Sequence, residues 1–155
     1  MSRGLYVIMA TITHLGLVVL TAGLVFYITD HDVIVEPDAG TLLGPGMVLG
    51  SMAAVFFTLA RAFGVAARDR RAPRIPGPAF AAAVFTYLAM LVIGSLGYAL
   101  IRDEPVWLVL FAARYALSVF VVTTAVWAGV VVAAFLVLAR VESARQHRPP
   151  RHDDL

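Results

Sequence analysis

Residues 61–78, RAFGVAARDRRAPRIPGP, carry five arginines and a single acid, Asp69, between two long apolar runs. A guanidinium keeps its charge at any physiological pH, and arginine next to a membrane span is retained on the cytoplasmic side. This stretch therefore decides from which side the flanking runs enter a bilayer. Every other segment takes its place from it.

Upstream lies the apolar run 42–60, with Pro45 in its first turn, where a missing N–H costs little. Before that, residues 29–40, TDHDVIVEPDAG, hold Asp30, Asp32, Glu36 and Asp38 and no arginine. The run 5–28 has 24 residues and no formal charge. It is longer than the ~7–15-residue apolar core of a secretory leader, and no A-x-A site follows it, so it reads as a retained span. Downstream, 79–101 is a third run, followed by the polar turn Arg102-Asp103-Glu104-Pro105.

A helix rises 1.5 Å per residue, so ~20 residues cross the ~30 Å hydrocarbon core. The last run, 106–139, is too long for one plain span and is expected to divide at Arg114. Residues 106–113 would start at the outer interface and 115–139 would cross. The end of the arginine stretch, rich in Pro73, Pro76 and Pro78, is expected to be extended. The polar tail 140–155 is expected to be disordered beyond its first turns.

Ten arginines (Arg3, Arg61, Arg68, Arg70, Arg71, Arg74, Arg140, Arg145, Arg148, Arg151) fall on one side of this four-span arrangement, and two, Arg102 and Arg114, on the other. Both termini are therefore predicted to be cytoplasmic and the acidic 29–40 connection external. Phe26, Tyr27, Tyr98, Trp107 and Tyr115 gather at the predicted outer interface, where amphipathic rings settle. The fold class expected is an all-α, integral membrane bundle of four transmembrane helices forming a single domain.

Composition agrees. The chain of 155 residues is 61% hydrophobic and only 14% charged, against ~25% charged for a soluble domain, and its mean hydropathy is +0.87. Cysteine is absent, which excludes disulfides and thiolate-held metals. All twelve basic residues are arginine, but they sit beside spans and not along one face with reading elements, so nucleic acid is not an expected partner.

An offset of 73 residues lays Thr13 on Thr86, Asp30 on Asp103 and Ser51 on Thr124, hairpin upon hairpin. Apolar spans match by chance, and duplication is not inferred.

His14 is the one ionisable side chain deep in a span, and such groups default to a functional hypothesis. Counted from the predicted cytoplasmic ends, His14, Ser51 and Thr86 share a depth. They form the candidate intramembrane polar cluster. No Asp or Glu lies within the four spans, as a proton pathway would require. Haem held by two histidines would need two protomers, and a metal needs three or four ligands where one is visible. The favoured reading is a neutral imidazole that joins helices through a hydrogen bond. No cofactor is expected.

Small residues recur every four positions at Gly46, Gly50 and Ala54, and at Ala125, Gly129 and Ala133. Such faces let helices approach closely, within a protomer or between chains. Arg61, Arg68, Arg70, Arg71 and Arg74 are candidate contacts for anionic lipids at the cytoplasmic leaflet, read as general attraction and not as a defined pocket. Arg114 is an outer-interface charge, able to pair with the acidic connection or to reach head groups. P-loop, GxSxG and HExxH patterns are all absent.

Residues 30–47, DHDVIVEPDAGTLLGPGM, with a histidine-bearing first span ahead and an arginine-rich connection behind, resemble a family of small actinobacterial four-span membrane proteins of unknown function. The resemblance covers roughly residues 5–140. It implies a bacterial plasma membrane and no particular activity. The expected role is a non-enzymatic accessory or scaffold subunit, associating with itself or with a larger membrane complex. The alternative is a small oligomeric transporter or proton-coupled carrier using His14.

Overall fold

The computed structural model describes residues 2–30, 34, 40–69 and 73–146. These form α1 (Arg3–Thr29), α2 (Leu43–Arg68), α3 (Pro76–Arg102), α4 (Val106–Tyr115) and α5 (Val119–Gln146), with no strand among the described residues. Helices α1, α2, α3 and α5 are each long and apolar enough to cross a membrane.

Local chemistry sets the helix ends. Ser2 caps α1, its hydroxyl accepting from the Leu5 N–H at 3.4 Å. Helices α1 and α3 both stop on an aspartate in the left-handed region, Asp30 at φ 53° and Asp103 at φ 54°. Aspartate is among the few side chains that tolerate this conformation. Each closes its helix by donating its backbone N–H four residues back, Asp30 to Phe26 and Asp103 to Ala99. These two residues are the pair that the 73-residue offset superposes.

Three boundaries differ from the sequence reading. Helix α2 does not stop at residue 60 but runs two more turns, because Phe63 is buried against the Tyr6 ring, 6.1 Å between centroids. Helix α3 begins at Pro76, so Pro76 and Pro78 lie in its first turn, where proline's fixed φ suits a helix, and not in an extended end. Helix α5 carries on beyond residue 139 through Gln146 and takes in the first turns of the polar tail; the disorder expected past those turns concerns residues outside the described ones. Two bonds hold this extension: Tyr6 donates its hydroxyl to the Glu142 carboxylate, and Arg140 Nε donates to the Pro73 carbonyl at 2.8 Å. Residues 147–155 lie outside the described residues.

The four long helices form a ring in which α1 packs on α2 and α5, and α3 packs on the same two. Two apolar clusters fill it. One, at the arginine-rich end, joins Tyr6, Val7, Ala10, Val55, Leu59, Phe63, Ala82, Ala128, Val132 and Leu136. The other joins Val18, Met47, Met90, Tyr98, Phe111, Tyr115, Phe120 and Val121.

Helix α4 packs along α3. Phe111 stacks on Tyr115 at 4.3 Å and lies 5.3 Å from Tyr98. Gly94 makes room for it: a Cβ there would sit 2.6 Å from the Phe111 ring. The break in the last apolar run falls after Tyr115, not at Arg114. There the Ala116 carbonyl accepts a 2.9 Å bond from the Tyr87 hydroxyl, which matters because a bare carbonyl is costly away from water.

Candidate functional site

Each of the four long apolar helices contributes a polar residue with no exposed surface: His14, Ser51, Thr86 and Thr124. Their sequence neighbours four places away, or three at Val121, fix their level. His14 lies between Ala10 and Val18, Ser51 between Met47 and Val55, Thr86 between Ala82 and Met90, and Thr124 between Val121 and Ala128. In every case one neighbour belongs to the arginine-end cluster and the other to the opposite cluster. The four residues thus form a polar layer separating two apolar cores.

Within that layer His14 Nε2 lies 3.3 Å from Ser51 Oγ. Ser51 Oγ also donates to the Val48 carbonyl at 2.7 Å. A serine hydroxyl has one hydrogen, so with that hydrogen committed to Val48 the imidazole must be the donor. The neutral ring therefore carries its proton on Nε2. Nδ1 is left as an acceptor, and it has no partner; nor do the hydroxyls of Thr86 and Thr124.

Sequence reasoning placed His14, Ser51 and Thr86 at one depth, and the layer brings them together, although Thr86 does not hydrogen-bond to the other two. It missed Thr124. The one signal for it was the 73-residue offset, which lays Ser51 on Thr124. Among the described residues no group of three or more His, Asp or Glu side chains is placed to hold a metal ion. The chemistry open to this layer is hydrogen bonding between helices.

The small-residue faces are used inside the protomer. Gly46 and Gly50 both abut Ile93 of α3. Gly129 faces α3 so closely that a Cβ would lie 3.1 Å from the Ala79 carbonyl oxygen and 3.4 Å from Ala83 Cβ. Ala125 is buried, while Ala54 and Ala133 are half-buried.

At the arginine-rich end a groove of about 410 Å³ opens between α2 and α3. Arg61, Asp69 and Arg74 line it together with apolar side chains that include Val65, Pro78 and Phe85. Arg68 is exposed on the last turn of α2, outside the groove. Arg70 and Arg71 lie outside the described residues.

At the other end Arg102 stands over the rings of Trp107, at 5.1 Å, and Tyr98, at 5.7 Å, and its Nε donates to the Tyr98 hydroxyl at 3.2 Å. Arg114 is exposed and borders a hollow of about 440 Å³ walled by Tyr98, Trp107 and Phe111. Of the acids suggested as its partners, Asp30 is exposed at the end of α1, and Asp32, Glu36 and Asp38 lie outside the described residues.

The chain belongs to a family of unknown function, DUF6121, which it matches over residues 3–153. No curated protein and no solved structure matches it.

Proposed function

We propose that this member of the family is a non-enzymatic protein of the bacterial plasma membrane, with both termini cytoplasmic, serving as an accessory or scaffold subunit. It associates with further copies of itself or with a larger membrane complex through α1.

One contrast carries this reading. Deep in their helices Gly46, Gly50, Gly94, Gly97 and Gly129 each abut an atom of a neighbouring helix, whereas Gly16 and Gly23 of α1 have nothing within 4 Å; Gly64, in the last turns of α2, is open as well. Gly16 and Gly23 are seven residues apart, two turns of one helix face. A glycine inside a helix costs about 1 kcal/mol relative to alanine. Within the protomer nothing offsets that cost on α1. A second helix lying close against this face would. Exposed Ile12, Leu20 and Tyr27 surround the two glycines and supply apolar contact. The sealed polar layer supports the non-enzymatic half of the reading, since it gives the bundle a register device where catalysis would need an accessible site.

Extraction from native membranes in mild detergent tests the proposal. A higher-order species or a defined co-purifying partner is expected; a strictly monomeric profile with no partner contradicts it.

A small transporter working around His14 is the second reading. The unpartnered Nδ1 and two unpartnered threonine hydroxyls of the layer favour it. The complete burial of His14 weighs against it. His14→Ala would then abolish transport while the fold survives; unchanged transport removes the reading.

A further inference from the structure

We infer that the groove between α2 and α3 at the arginine-rich end binds one anionic phospholipid, its phosphodiester held by Arg61 and Arg74. This goes beyond a role in assembly and beyond general attraction between arginines and a membrane. It rests only on the chain lying in a bilayer.

The groove has the polarity gradient of a lipid. Along α2 its lining runs from Thr58 past Arg61 to Asp69 at the C-cap, and from Phe85 past Pro78 at the start of α3 to Arg74 in the connection before it. Eleven residues of helix separate Thr58 from Asp69, about 16 Å at 1.5 Å per residue. The inner end is apolar, with Phe85 among its exposed hydrophobics, and suits the start of an acyl chain. The charged end lies where the helices leave the apolar layer. A volume of about 410 Å³ falls in the ~300–1,000 Å³ range of small-molecule sites. It accommodates a head group and glycerol while the chains run on along the open helix faces.

Charge selects the occupant. Arg61 lies on α2 and Arg74 in the connection two residues before α3, and both are exposed. Neither has a hydrogen-bond or ion-pair partner among the described residues. Guanidinium groups match phosphate oxygens in a bidentate fork. Asp69 lies in the same groove, so its described lining carries a net charge of +1, and a second negative charge on the ligand would meet a carboxylate. This favours a singly charged phosphodiester with a hydroxyl-bearing head group, whose hydroxyls Asp69 can accept, over a dianionic monoester. Inorganic phosphate has no use for the apolar half.

Native mass spectrometry of the detergent-purified protein, titrated with phosphatidylglycerol or phosphatidylcholine, tests the site. One phosphatidylglycerol per chain is expected, retained at least tenfold more tightly than phosphatidylcholine. The pair Arg61→Gln and Arg74→Gln should bring the two lipids to equal affinity. The pair Arg3→Gln and Arg145→Gln removes the same charge from the same end and should leave the preference intact. Asp69→Asn, an exposed change that leaves the core alone, should tighten phosphatidylglycerol binding several-fold. The site is overturned if phosphatidylcholine binds equally well, if both double variants lose the preference alike, or if Asp69→Asn has no effect. Inorganic phosphate raising the melting temperature as much as phosphatidylglycerol does would overturn the lipid as occupant.

Discussion

The imidazole of His14 donates to Ser51 Oγ across 3.3 Å while Ser51 gives its own hydrogen to the Val48 carbonyl. This relay ties α1 to α2 at the level where all four long helices contribute a fully buried polar residue. Hydrogen bonds of this kind are worth roughly 0.6–2 kcal/mol in a membrane, so a double-mutant cycle of His14→Ala and Ser51→Ala should give a coupling of that size. His14→Ala alone should cost more, about 2–5 kcal/mol, because it also leaves a cavity. Reversible unfolding in mixed micelles measures both. A coupling near zero would remove the bond from the account.

The close approach of α3 and α5 at Gly129 should admit a side chain only at a cost. Ala79 opposes it with a backbone carbonyl oxygen, which cannot rotate away. Gly129→Ala is expected to cost about 1–3 kcal/mol, as overpacking does. Gly50→Ala should cost less, since the opposing atoms are the flexible end of Ile93. The same unfolding assay ranks the two, and the reverse order would refute this assignment of contacts.

Tyr87→Phe removes the donor that satisfies the Ala116 carbonyl at the break between α4 and α5. The acceptor is half-buried, so leaving it unsatisfied should cost toward the lower end of the ~1–3 kcal/mol of a buried one. The variant should therefore unfold more easily by that amount while keeping its helical content by circular dichroism. No loss of stability would mean that another donor replaces the tyrosine.

Arg140→Gln should loosen the connection into α3 by deleting the Arg140 Nε bond to the Pro73 carbonyl. The bond is exposed, so the effect on global stability should be small, about 1 kcal/mol or less. Local opening is the better readout: tryptic cleavage after Arg74 should quicken severalfold. Unchanged cleavage would show that the connection is held by other means.

Much of this architecture was legible because lipid imposes long, uniformly apolar helices, and runs such as 5–28 and 79–101 announce themselves. The ends were harder. Hydropathy stops α2 at Arg61, yet the helix continues because Phe63 finds Tyr6 on the neighbouring α1, a contact no local window contains. The same holds for α5, whose charged final turns are secured by partners on α1 and before α3. The break after Tyr115 carries neither proline nor glycine, so only Arg114 hinted at it. His14, Ser51 and Thr86 could be placed by counting residues along spans. Thr124 could not, because its helix begins at an unmarked point. Small-residue spacing found the faces of α2 and α5 but not their targets, since a stripe on one helix is silent about which neighbour it meets.

The most direct test of the assembly role is the mass of the mildly extracted protein with and without Gly16→Leu and Gly23→Leu. Both positions face away from the protomer, so the paired substitution should leave the melting temperature unchanged. The wild-type chain should run as a higher-order or partner-bound species and the variant as a monomer. If the variant assembles as the wild type does, or if the wild type is itself monomeric and alone, the account of α1 as the contact helix is contradicted.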